Sequence, residues 1–264
     1  MDPIPTDKEL MKIYCYEQSK EKSTKFISKL NPALGKVIDN QFLMRLLGYW
    51  SRWVTRSRAE KSAEFIKNGL VIDIGCGPGE YLKAMKSLGF EIYGCEMGDN
   101  LVETARKNSG SKNIFKGELT KLKFPPVDLI TFWHVLEHIT NFNSTLKKVS
   151  EQLNSNGGVV IEVPHAQSLN FSLFKSYWTL MLLPQHLYFW SEKSFQILLS
   201  NHKLQAVKFE YPSHFPFVFF SSLVKLMPAF IYLAPILIPV SWLVSQIANL
   251  LGRGDVIRVY ARKS

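Results

Sequence analysis

The residues of this chain that could do chemistry fall in a few short stretches. The densest holds Asp73, Gly75, Cys76, Gly77, Gly79 and Glu80, with Glu96 further on. Trp133, His134, Glu137 and His138 follow, and then His165 and His186. Glycines at such spacing let a backbone approach a ligand closely, because no Cβ intervenes. Carboxylates on either side of the loop repel a pyrophosphate and suit a ligand with positive charge. The spacing G-x-G-x-G also departs from the dinucleotide fingerprint, whose third glycine would fall on Glu80. S-adenosylmethionine meets these demands, with an ammonium, a sulfonium, a ribose and an adenine but no phosphate. An acid about 20 residues beyond the loop, here Glu96, suits ribose hydroxyls. Displacement at a sulfonium methyl rests on alignment and proximity. A hydroxyl acceptor also needs a base, for which histidine is the usual choice.

These residues need elements to hold them. The apolar run 70–74 predicts a buried strand, and Tyr81, Leu82, Met85 and Leu88 recur at helical spacing after the glycine turn. Further strands are expected at 91–95, 113–116, 127–132, 159–163 (read as apolar throughout), 203–211 and 255–262. Helices are expected from Asp99 to Lys107, around Leu146, Val149 and Leu153 with a stop at 156–158, and from a Ser191 cap to Asn201. The fold class is α/β: a Rossmann-like, doubly wound, seven-stranded and mostly parallel sheet with the last strand antiparallel. N-terminal helices and an apolar helical insertion between strands six and seven are added to it. The expected parts are an N-terminal helical arm or lid over 1–67, a cofactor-binding domain over 68–211 with 254–264, and the insertion over 212–253.

In this order the motifs resemble the class I S-adenosylmethionine-dependent methyltransferases. The match is Asp73-Ile-Gly-Cys-Gly-Pro-Gly79, Glu96, Phe132-Trp-His-Val-Leu-Glu-His138, and Asn156-Gly-Gly158 before a strand. Pro184-Gln-His-Leu-Tyr-Phe-Trp190 looks closest to a branch acting on small molecules and glycans. The resemblance covers about 45–211 and 254–262 and implies S-adenosyl-L-methionine as the cofactor. It implies cofactor contacts from Asp73, Gly75, Cys76, Gly77, Gly79, Glu96, Met97, Glu118, Leu119, Trp133 and His134, with Glu118 accepting from the adenine amine. Glu137 and His138 read as a recurrent structural feature of their loop. His186, inside the family-like motif, is the expected catalytic base, with His165 a second candidate; a histidine that merely orders the loop is the plain alternative. Tyr177, Trp178 and Tyr188 in the aromatic connection are expected to meet the acceptor or a membrane.

The net charge of +10 points to an anionic partner, such as a membrane surface, nucleic acid or phosphorylated substrate, or simply to solubility. Cys15, Cys76 and Cys95 form no disulfide framework and no metal-ligand spacing, so a reducing compartment and no metal are expected. The polar start, with Pro3 and Pro5, does not read as a signal peptide. Within a helix over 42–67, Arg45, Arg52 and Arg56 project together beside a tryptophan-bearing arc. Such a row suits phospholipid headgroups or a phosphate-bearing acceptor; taken alone, the helix reads more plainly as packed on the sheet with a solvated basic face.

No charged residue occurs from Leu226 to Gly252. As one helix that run would measure roughly 40 Å, enough to cross a bilayer. Pro228, Pro235 and Pro239 interrupt it, and strand seven must return to its own sheet. Short broken helices lying in a membrane interface, or a shallow re-entrant hairpin, with Tyr232, Trp242, Lys225 and Arg253 at headgroup depth, are the expected form. A buried cap or a homodimer surface are the alternatives.

The expected activity is methyl transfer to an oxygen of a lipid-linked or membrane-resident acceptor, a sugar, glycan precursor or quinone-like ring. The expected place is cytoplasmic, peripheral on the inner face of a membrane. A soluble small-molecule or RNA acceptor, or a non-catalytic cofactor-binding scaffold, are the other readings. Nucleic acid is disfavoured: enzymes that methylate base amino groups resemble Asn/Asp-Pro-Pro-Tyr where this chain has Phe132-Trp-His-Val, and an apolar insertion is a poor nucleic-acid surface.

Overall fold

The computed structural model describes residues 41–213 and 217–264, with the side chains of 41–44 and 46–47 outside that description. The first 40 residues of the arm expected over 1–67, with Cys15, lie outside the described residues, as do most side chains of the apolar arc at the start of the helix that follows.

Apolar residues fill both faces of the strands, which is what a sheet covered on two sides requires. Seven strands form one sheet: β1 (Leu70–Ile74), β2 (Glu91–Glu96), β3 (Ile114–Lys116), β4 (Val127–Trp133), β5 (Leu153–Pro164), β6 (Leu204–Glu210) and β7 (Val256–Lys263). Their order is β3-β2-β1-β4-β5-β7-β6. β1 to β5 pair in parallel, and β7 runs antiparallel to both of its neighbours. Side chains alternate between faces along a strand. Ile72, Ile130 and Val159 therefore join one core with α4 (Phe142–Gln152) and α6 (Glu192–Ser200). Val71, Leu129 and Val160 join the other, with α1 (Gln41–Phe65), α2 (Glu80–Ser87) and α3 (Asp99–Ser109).

Two glycines read differently in three dimensions. The run 156–158 stops no helix: it lies within β5, which begins at Leu153 directly after α4. A Cβ on Gly158 would come within 2.4 Å of the Phe65 ring, so this glycine lets the end of α1 press onto the sheet.

The insertion leaves β6 and returns to β7 at one point. Val256 N–H donates to Pro212 O at 3.2 Å, and a Cβ on Gly254 would overlap Tyr211 O. Between them run α7 (Val218–Leu226), a 3-10 turn (Pro228–Leu233) and α8 (Ala234–Leu250). Pro228 and Pro235 stand at segment starts, where a missing N–H costs nothing. Pro239 departs from expectation: it sits inside α8 without ending it. α7 seals the aromatic connection, which holds α5 (Leu169–Phe174), in a cluster of Phe174, Trp178 and Val218. α8 does not pack this way. The run Pro228–Leu250 is long and apolar enough to cross a membrane, and only 11% of an 18-residue stretch of it is buried within the protein.

Candidate functional site

β1 lies between β2 and β4, so the chain's winding reverses at its C-terminal end, where open α/β sheets bind ligands. The glycine loop starts there. Gly77 has φ +50, and a Cβ on it would meet nothing within 4 Å, so it faces open space. Glu96, at the end of β2, turns back toward this loop. Its Oε2 accepts from Gly77 N–H at 3.0 Å, and its Oε1 accepts from Met97 and Gly98 N–H at 2.8 and 3.0 Å. One carboxylate thereby ties the glycine loop to the turn that opens α3.

A cavity of about 390 Å³ opens between these loops and the end of β4. Gly75, Gly77, Glu96, Met97, Glu118, Leu119, Trp133 and His134, all expected cofactor contacts, line it. Asp73, Cys76 and Gly79 do not line it. Asp73 was expected on the ligand's side. It lies beneath the loop, 2% exposed, and its carboxylate accepts from the Thr131 hydroxyl at 2.7 Å. Burial pushes its pKa up to about 7, against the opposing pull of Thr131 and Arg58. Cys76 is buried, and burial lifts its thiol far above the usual range. Gly79 serves packing, since a Cβ there would come within 2.9 Å of Ala105 Cα in α3. Glu118 is held by Lys121 at 2.9 Å.

The β4 end brings Trp133 and His134 to the cavity wall, with buried charges behind them. His134 adopts φ 57, with Nδ1 3.4 Å from Glu137 and Nε2 3.3 Å from Glu162. Burial opposes charge on this ring, but the two carboxylates outweigh it and hold its pKa above the ordinary value. Glu162 is fully buried and accepts from Arg258 Nε at 2.7 Å and from Arg58 Nε at 3.1 Å. The Arg58 and Arg258 guanidiniums lie over the Trp133 ring, 5.0 and 5.4 Å from its centre. None of these three charged residues was expected. The signal was present for Glu162, a lone charge in a strand wrongly read as apolar throughout. Arg58 and Arg258 carry no local mark.

The two histidines expected near an acceptor do not meet. His165 is buried, its Nδ1 pairs with Gly254 O at 3.1 Å, and it lines a second, open cavity with Tyr211 and Arg253. His186 lines neither cavity. Burial lowers its pKa to about 4, and its ring packs on His138 at 4.7 Å, a residue that does line the main cavity. A group with that pKa is a weak base near neutrality. Trp178, expected at the acceptor or membrane, is fully buried, with its indole N–H on Asp255 at 3.2 Å. It holds the connection together. Tyr177 is exposed, and Tyr188 donates to Thr140 O at 3.3 Å. Arg45, Arg52 and Arg56 are exposed; Arg52 covers Tyr49, and Arg56 pairs with Glu60 at 2.8 Å. Trp242 on α8 is exposed.

Residues 44–208 match the family model described as a methyltransferase domain. The chain belongs to the S-adenosylmethionine-dependent class I methyltransferases. Among curated proteins it is similar to the ubiquinone biosynthesis O-methyltransferase of Bordetella avium, 26% identical over 124 residues, 44% of this chain and 52% of that one. It is also similar to the protein of that description from Nitrosospira multiformis, 27% identical over 124 residues, with the same two shares. The chain spans about half the length of these curated relatives. Among solved structures, an S-adenosylmethionine-dependent methyltransferase from Archaeoglobus fulgidus superposes with a TM-score of 0.58 at 21% identity, covering 85% of this chain and all of that one. The [4+2]-cyclase SpnF superposes at 0.55 and 14% identity, covering 79% and 80%. These likenesses show the fold.

The cavity of this methyltransferase domain fits its cofactor. Its volume is in the range of small-molecule sites, no Cβ obstructs it at Gly77, and Glu96 presents a carboxylate to it beside apolar Met97 and Leu119. Glu96 would hold ribose hydroxyls and Glu118 the adenine amine. When bound, S-adenosyl-L-methionine supplies an electrophilic methyl on a positively charged sulfur. The loop glycines, Glu96 and Glu118 would orient it in the cavity.

Proposed function

We propose that this chain transfers a methyl group to an oxygen of a lipid-linked or membrane-resident acceptor, such as a sugar, a glycan precursor or a quinone-like ring. It works as a peripheral protein on the cytoplasmic face of a membrane. The observation that carries the reading is the bare apolar surface of the insertion. Tyr232, Ile236, Trp242, Leu243 and Leu250 are 78, 66, 52, 52 and 87% exposed, all in one segment. Soluble monomers rarely leave so much contiguous apolar surface in water. Both ends of the segment meet at β6 and β7, so it lies against a bilayer rather than crossing it, with Arg253 at its return. The relatives described as ubiquinone biosynthesis O-methyltransferases support an oxygen acceptor on an apolar molecule.

Co-sedimentation with anionic and neutral vesicles, in the presence of S-adenosylmethionine, tests the membrane half of this reading. Binding that prefers anionic vesicles is expected, given the net charge of +10. Protein that stays in the supernatant with both vesicle types would contradict it and turn the search to soluble sugars and small aromatics.

A further inference from the structure

We infer that Glu137, His138 and His186 hold a divalent transition-metal ion at the wall of the cofactor cavity. One potential ligand atom from each lies within 4.8 Å of the others. Two segments distant in sequence are fastened together to bring this about: Leu187 N–H donates to Glu137 O at 2.8 Å, and His138 Nδ1 meets Gln185 O at 2.9 Å. His186 Nδ1 likewise meets Leu180 O, at 2.8 Å. A carbonyl oxygen only accepts, so Nδ1 carries the proton in both rings and the lone pair is on Nε2. An Nδ1–H donated to a backbone carbonyl is the usual way an imidazole ligand is oriented for a metal.

Glu137 supplies the independent observation. It is fully buried, and neither carboxylate oxygen has a hydrogen-bond partner. His134 Nδ1 faces one of the two oxygens, at 3.4 Å, and a buried carboxylate is further stabilised by a cation bound to it directly. Two imidazoles and one carboxylate suit Zn²⁺, Mn²⁺ or Fe²⁺, with coordination positions left over. Mg²⁺, which prefers oxygen ligands, fits less well. Since His138 also lines the cavity, an acceptor oxygen can complete the coordination. The expectation of no metal came from cysteine spacing alone and did not consider this set.

The test uses the full chain, stripped with a chelator and then titrated with Mn²⁺ and Zn²⁺ by calorimetry, with Mg²⁺ in parallel. A single equivalent of Mn²⁺ or Zn²⁺ is expected, with affinity at least about tenfold weaker in Glu137→Gln and His186→Asn. His165→Asn, at the second cavity, should leave it unchanged. The visible spectrum of Co²⁺ added to unaltered protein needs no variant: bands of a nitrogen-ligated ion support the site, and the spectrum of the hydrated ion overturns it. Absence of saturable binding, or equal binding by the folded Glu137→Gln and His186→Asn variants, also overturns it. Neither membrane nor acceptor enters the experiment, so its failure would leave the methyl-transfer reading standing.

Discussion

Asp73 and Glu96 end neighbouring strands, yet the fold gives these two carboxylates different work. Asp73 lies under the glycine loop, where burial raises its pKa from 3.8 to about 7. The folded state thus favours the protonated acid. The stability this contributes is present below about pH 4 and is lost as pH rises from about 4 to about 7. In Asp73→Asn, which keeps an acceptor for the Thr131 hydroxyl, the thermal midpoint of the cofactor-free protein should change less across that window. Parallel pH profiles of variant and parent would refute the buried-acid account. Glu96 accepts three backbone N–H groups and faces the cavity. Glu96→Ala should cost about 2 kcal/mol in denaturant unfolding, as orphaned donors do, and weaken S-adenosylmethionine by more than tenfold in calorimetry. Glu96 was legible because strand, acid and loop stand at a recognisable spacing. The depth of Asp73 was not, because a carboxylate at a strand end reads the same whether it faces ligand or core. Arg58 and Arg258 were invisible for another reason: their partner Glu162 and the Trp133 ring between them are adjacent only once β4, β5, β7 and α1 have packed.

Elements with a local cause were read well. Ser191 caps α6, with Ser194 reciprocating in a capping box, and the apolar strands in the sheet fall within a residue or two of their expected places. The exception is the start of β5, where a glycine pair that resembles a helix stop instead admits Phe65. The insertion was legible as apolar, but its division of labour was not. α7 packs Val218 and Phe219 against the connection, whereas α8 faces outward. Deleting the whole insertion would therefore strip a core cluster and confuse unfolding with loss of membrane contact. Exposed positions give a cleaner test. Ile236→Glu, Leu243→Glu and Leu250→Glu together should leave cofactor affinity and thermal midpoint close to those of the parent while vesicle binding falls by at least tenfold. Undiminished vesicle binding would show that α8 is not the membrane face.

At the scale of the molecule, one doubly wound sheet sets the cofactor cavity at its reversal point, and an apolar segment leaves and rejoins its edge between β6 and β7. The sheet and cofactor class were readable from motif order. The acceptor was not, because the long connection expected to meet it carries aromatics that serve the core as readily as a ligand; fully buried Trp178 is an example. The proposed reaction carries the methyl group to an oxygen on a molecule that lives in the membrane. Its most direct measurement is to incubate the protein with S-adenosylmethionine labelled in its methyl group, together with membranes and cytosol from the same cells, and extract with organic solvent. Label in a lipid-soluble product, absent without protein and absent in Glu96→Ala, is the predicted result. Enzyme-dependent label found only in water-soluble or macromolecular products would contradict the account.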